Sequence, residues 1–179
     1  MKSVQIGLLM AAITTGIFIR SAHAGVQQYN QDFESPSPPP DWYTYGGAGF
    51  DYGKNLAHNG KGNAWVRATH GWNAVNVWVP MPPNSDCYVQ AWIRLSPNLT
   101  YGYMTIRGGD GTTFGPPIHE TPLTGPGQPN PQNANYNLYG FKFNSGNSSQ
   151  LLFYVGLWGN GSDAWEQVDD VGLSCSTPF

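Results

Sequence analysis

An all-β antiparallel sandwich is the fold this 179-residue sequence predicts, and three observations carry it. Apolar residues recur with period two, not 3.6, in one short segment after another. Turn-forming clusters separate those segments: Asn59-Gly60, Gly108-Gly109-Asp110-Gly111 and Gly159-Asn160-Gly161-Ser162-Asp163. No stretch carries helical periodicity, and 15 prolines and 23 glycines oppose long helices. Seven or eight strands so patterned pack as two sheets.

The chain opens on Lys2, a mostly apolar run from Ile6 to Ile19 and Ala22-His23-Ala24, which reads as an export signal over 1–24. Residues 25–179 then form one domain outside the cell. Of eight Lys plus Arg, two fall in that signal, and the formal net charge is −3, so nucleic acid is not an expected partner. No second long apolar run predicts insertion into a membrane. Two cysteines in an oxidising compartment predict a disulfide between Cys87 and Cys175, worth roughly 4 kcal/mol by loop entropy.

After Asn30–Glu34, Pro36, Pro38, Pro39 and Pro40 make a rigid connector to Trp42. Residues 45–50 form a glycine-rich loop with an aromatic rim, and Asp51 to Gly62 is rich in turns. Ala64, Val66 and Ala68 then alternate with Trp65, Arg67 and Thr69, and Val75, Val77 and Val79 with Asn76 and Trp78. The clearest strand sets Val89, Ala91, Ile93 and Leu95 against Tyr88, Gln90, Trp92 and Arg94. Met104 and Ile106 alternate with Tyr103 and Arg107. Residues 115–135, proline-rich and without periodicity, predict a long functional or disordered connection. Tyr139, Phe141 and Phe143 form a further strand, and Leu151, Phe153, Val155 and Leu157 alternate with Leu152, Tyr154, Gly156 and Trp158.

The closing strand, Trp165 to Ser174, places two carboxylates, Asp169 and Asp170, between Val168 and Val171. Strand alternation sends them to opposite faces, so one points inward, where an unpaired charge costs several kcal/mol by order of magnitude. A cation removes that cost. Glu34 and Asp169 are therefore expected to be two ends of one structural Ca²⁺ clasp, oxygen ligands suiting that ion. The four scattered histidines give no zinc spacing.

Aromatic and planar polar side chains alternate out of the core set where Thr, Ser, Lys and Glu are usual. These are Trp65 with Arg67, Gln90 with Trp92 and Arg94, Tyr103, and Tyr154 with Trp158. Rings cover the C–H face of a sugar, and Arg or Gln bonds its hydroxyl edge. The set predicts a site for a polysaccharide or oligosaccharide. The same rings could serve a second core layer. No nucleophile elbow or phosphate loop is present, and His119-Glu120 is the one His–acid neighbour, a weak lyase signal.

Asn30-x-Asp32-Phe33-Glu34, Trp42, the turn from Ala57 to Ala64, Tyr88 to Arg94 and Val168-Asp169-Asp170-Val171 together resemble, in order and spacing, the jelly-roll carbohydrate-binding modules of secreted cellulases and xylanases. The resemblance spans nearly all of 25–179; the 113–136 insert departs from a minimal module. It implies a two-sheet jelly roll, calcium bound partly by carbonyls of the 57–62 loop, and a ligand on a concave face with Trp92 and Tyr154 in the binding places, Trp72 and Trp78 being the alternative, at its rim. Gly156 stands where xylan-binding members often carry an acid. The expected function is non-catalytic carbohydrate binding. The alternatives are a structural or adhesive domain with a protein partner and, less favoured, a polysaccharide lyase or glycoside hydrolase.

Overall fold

A computed structural model describes residues 25–125 and 135–177. The expected export signal lies outside them, as does 126–134 of the insert. Nine strands and no helix are formed by the described residues: β1 Val26–Gln31, β2 Trp42–Tyr45, β3 Ala48–Tyr52, β4 Gly62–Pro80, β5 Asp86–Leu95, β6 Gly102–Gly109, β7 Phe114–Leu123, β8 Asn137–Asn144 and β9 Gln150–Ser176.

All ladders are antiparallel, and the two long strands belong to both layers. The first half of β9 lies between the second half of β4 and β6, with β2 and β7 outside them. The second half of β9 lies between β5 and the first half of β4, which β1 continues along the same edge; β8 and β3 are the outer strands. The β4–β9 register breaks between Ala68 and His70, where the ladder passes from one layer to the other. Such a break is how one strand can serve two sheets. Val75, Val77, Leu151, Phe153, Val155, Met104 and Ile106 from the first sheet meet Val66, Val89, Ala91, Ile93, Val168 and Leu173 from the second in one buried cluster. This is the predicted sandwich, and its alternating apolar sets are those read from the sequence.

Phe33 and Trp42 flank the proline connector and enter this core. Their rings meet edge to face at 5.0 Å, and the Trp42 indole N–H donates to the Tyr29 hydroxyl at 2.6 Å. Cys87 and Cys175 face each other across the β5–β9 ladder and are bonded, as expected.

Ala48–Tyr52 forms β3 rather than loop and turn, and the 159–163 cluster lies within the continuous β9 rather than between strands. Two further expectations change. Phe114–Leu123 forms β7 rather than a loop. It pairs only with β6 and so is an edge strand, where Pro116, Pro117 and Pro122 can sit without breaking an inner ladder. Second, Asp169 and Asp170 do not point to opposite faces. The β5–β9 register shifts between Gln90 and Trp92, and Asp170 takes a left-handed φ of 46°. This bulge lets Val168 and Val171, three residues apart, both face the core, so both carboxylates turn toward the 57–62 loop. Of the pair Asp169 is fully buried, as expected of one of them, with its oxygens met by amide N–H groups; Glu166 is fully buried too, with neither oxygen hydrogen-bonded.

Candidate functional site

The outer face of the first sheet is a trough of about 810 Å³, within the usual size range of ligand sites. Ladder register gives its floor row by row. One row runs Tyr45–Ala74–Gly156–Tyr103, the next Tyr43–Asn76–Tyr154–Thr105–Glu120, and the third Trp78–Leu152–Arg107. Every member except Gly156 and Thr105 lines the trough, joined by Trp72, Thr44, Thr112 and Phe114. Opposite faces of these strands supply the core, so period-two patterning alone dictates which residues face outward.

Two tryptophans are seated by glycines. A Cβ on Gly156 would stand 2.8 Å from the Trp72 ring, and one on Gly109 would stand 2.6 Å from the Trp78 ring. The missing side chains let the indoles lie over neighbouring strands. Trp72 meets Tyr154 edge to face at 5.5 Å and 87°, and lies 6.3 Å from Tyr103. The Arg107 guanidinium sits 5.4 Å over Phe114 and 5.7 Å over Tyr154. Its Nε donates to the Tyr154 hydroxyl and its Nη1 to the Gly115 carbonyl. Glu120 accepts a hydrogen bond from Thr105 at 3.3 Å. It is the one carboxylate among the described lining residues, whereas glycoside hydrolysis uses a facing pair. His119 turns away from Glu120 and stacks on Phe141 at 4.0 Å.

The eight predicted ligand residues do not form one platform. Tyr103 and Tyr154 line the trough. Trp158 pairs with Trp72 in the ladder and is 55% exposed, but does not line it. Trp65, Arg67 and Arg94 line a separate pocket on the second sheet. Gln90 stands half-buried opposite Gly172. Trp92 is also on the second sheet and is covered: the His58 ring stacks on it at 3.9 Å and 12°, with Tyr136 edge-on to His58. Its neighbours are β8 and the second half of β9, so Tyr154 cannot extend a Trp92 platform. Tyr43, Tyr45 and Phe114 were outside the predicted set, and Trp72 and Trp78, expected only at the rim, line the trough itself. Tyr43 and Tyr45 share a face by alternation, as do Trp72 and Trp78. What alternation lacks is which strands share a sheet.

The expected metal residues converge on one loop. Glu34 accepts the N–H groups of Lys61 (2.8 Å to Oε1) and Gly62 (2.8 Å). Asp169 Oδ2 accepts those of His58 (2.8 Å) and Asn59 (3.2 Å), and its Oδ1 that of Asp170 (2.8 Å). Burial pushes Asp169 up to about 6, against the lowering effect of those amides. Phe33 and Asp170, next to the two carboxylates, both have positive φ, 55° and 46°. One oxygen each of Asp169 and Asp170 and one His58 nitrogen lie within 4.8 Å of one another. The oxygens suit a hard cation and the imidazole does not. The loop presents N–H groups to both Glu34 and Asp169, so hydrogen bonds already occupy part of their lone-pair capacity.

No protein-family model matches this chain, and no curated protein matches by sequence. Solved structures match by fold. The CBM22-1 xylan-binding domain of Xyn10C from Paenibacillus barcinonensis is 16% identical, with TM-score 0.57, covering 84% of this chain and 95% of that one. The K1 cleaved adhesin domain of Lys-gingipain from Porphyromonas gingivalis W83 is 11% identical, with TM-score 0.59, covering 86% and 99%. A cyclase from Fischerella sp. TAU is 12% identical, with TM-score 0.58, covering 86% and 100%. Binding, adhesion and catalysis all occur on this architecture, and at such identity the likeness shows the fold alone. That fold is the jelly-roll sandwich shared with carbohydrate-binding modules.

Proposed function

We propose that the domain is a secreted, non-catalytic binder of a polysaccharide, held in the trough of the first sheet. The observation that carries this reading is the outward set of Trp72, Trp78, Tyr43, Tyr154 and Phe114, interleaved with Asn76, Arg107 and Glu120. Rings take the apolar faces of successive sugar units, while the amide, guanidinium and carboxylate take their hydroxyls. A core layer would hide these rings, yet Tyr43 and Phe114 are exposed and Trp72 and Trp78 half-buried, with Tyr154 buried on the floor beneath them. The xylan-binding domain of the same fold supports the ligand class, and the buried disulfide agrees with export.

A structural calcium ion belongs to this proposal, with Asp169 and Glu34 as its oxygen ligands. Its role is to tie the end of β1 to β9 through the 57–62 loop. Support comes from the convergence of both carboxylates on that loop beside two left-handed residues.

The test is titration of the protein against a panel of soluble polysaccharides, with free oligosaccharide as competitor and reducing ends assayed in parallel. Saturable binding that oligosaccharide displaces, with no reducing ends released, is the expected result. Binding to a protein partner that no glycan competes away would favour the adhesive alternative. Release of reducing ends would contradict the non-catalytic reading.

A further inference from the structure

We propose that the opposite face carries a second, independent carbohydrate site, selective for a sugar unit that bears a carboxylate. The site is a pocket of about 410 Å³ on the outer face of the second sheet. One crosswise ladder row supplies Gly49, Trp65, Gln167 and Arg94, each directly opposite the next, and Trp165 comes from the adjoining row opposite Arg67. Trp65 lies over Gly49, where a Cβ would stand 2.8 Å from its ring. Two indoles thus wall a space the size of one or two sugar units, with an amide and a guanidinium at its floor and side.

The charges point to the ligand. Lys54 is paired with Asp51 at 3.0 Å, and Arg67 Nε donates to Asp163 at 2.8 Å. Arg94 has no such partner. All eleven side-chain carboxylates of the chain lie among the described residues, and none pairs with it. Its guanidinium stacks 5.4 Å over Trp165, and Nη1 makes one long bond of 3.4 Å to the Gln167 side-chain oxygen. Its Nε is buried with no acceptor. Two carboxylates also line the pocket: Asp51 is engaged by Lys54, and Glu166 is fully buried, where desolvation raises its pKa well above the usual glutamate value and so disfavours its charge. An under-bonded cation between aromatic walls is best completed by an anion that also carries an apolar C–H face. A hexuronate unit has both: its ring packs on indole and its carboxylate accepts charge-assisted bonds from Arg94. A neutral hexose would leave the charge uncompensated. Because trough and pocket lie on opposite sheets, one molecule could hold two chains, or two stretches of one chain, at once.

The experiment is titration of the protein with methyl β-D-glucuronide and, separately, methyl β-D-glucoside, following the indole N–H signals of Trp65 and Trp165 by NMR. The glucuronide should move both signals and bind at least about tenfold tighter than the glucoside, the effect of one charge-assisted hydrogen bond. Arg94→Gln should bring it down to the glucoside level, Arg94→Lys should fall between, and Trp72→Ala in the trough should change nothing. Should Arg94→Gln not fold, Trp165→Ala serves instead and should weaken the glucuronide about tenfold. Equal affinities for the two sugars, a preference that survives Arg94→Gln, or no movement of the indole signals at 50 mM glucuronide (about the weakest binding such titrations read) would overturn the proposal. A trough that fails every polysaccharide would leave this result untouched.

Discussion

Glu166 shows how much one residue can hide in a sequence. It sits between Trp165 and Gln167 in an alternation that looks like any other solvated acid, yet it is fully buried. A Cβ on Gly102 would stand 2.2 Å from its Oε1, and one on Gly102 would also meet Leu99, so the carboxyl lies among core groups without a partner. Desolvation raises its pKa well above the ordinary glutamate value. The folded protein therefore holds a proton that the unfolded chain releases from about pH 4.3 upward. The folded state binds more protons in that window, so this group's contribution to stability falls as pH rises toward the folded pKa. Glu166→Gln should remove this slope. Thermal melts at pH 5 and pH 8 should show the parent losing stability at the higher pH and the variant losing clearly less. An identical pH response in both would show that Glu166 is not buried as an acid. Trp92 teaches the complementary lesson. Its strand register was legible from Val89, Ala91 and Ile93, so its outward direction was right. That the His58 ring would cover it depends on a loop more than thirty residues away, about which period-two patterning is silent.

Among elements, the strands most legible in the sequence were those whose apolar sets pack on one core, β5 and the two halves of β4 and β9. β7 was not, because its prolines argue against a strand unless its edge position is known. The closing element was half legible. The paired acids marked Asp169 and Asp170 as special, and Glu34 does reach the same loop, but the bulge at Asp170 was not readable from residue types. The clasp can neutralise its carboxylates with amide N–H groups alone or with an ion as well, and stability separates the two. Calcium bound only by the native state adds about 2.7 kcal/mol at a hundredfold excess over Kd. The melting temperature should fall on addition of EDTA, and Asp169→Ala should abolish that difference. A melt unchanged by chelator would leave the amides as the whole of the clasp.

For the whole molecule, the fold class followed from periodicity, turns and composition, whereas the site depended on sheet membership. Tyr154 and Trp92 look equivalent in sequence: each is an aromatic residue alternating out of an apolar strand. The long strands β4 and β9 pass through both layers, so Tyr154 goes to one outer face and Trp92 to the other. That assignment rests on pairings between residues up to about a hundred apart, which local patterning does not encode. The proposed polysaccharide site is the face holding Tyr154, Trp72 and Arg107. The most direct measurement compares Trp72→Ala and Trp92→Ala with the parent, by isothermal titration against whichever polysaccharide the panel identifies. Trp72→Ala should lose at least about tenfold in affinity, the scale of one aromatic contact removed from a site, with its melting temperature little changed. Trp92→Ala should bind as the parent does. Undiminished binding by Trp72→Ala together with loss in Trp92→Ala would rule out the trough and move the site to the second sheet.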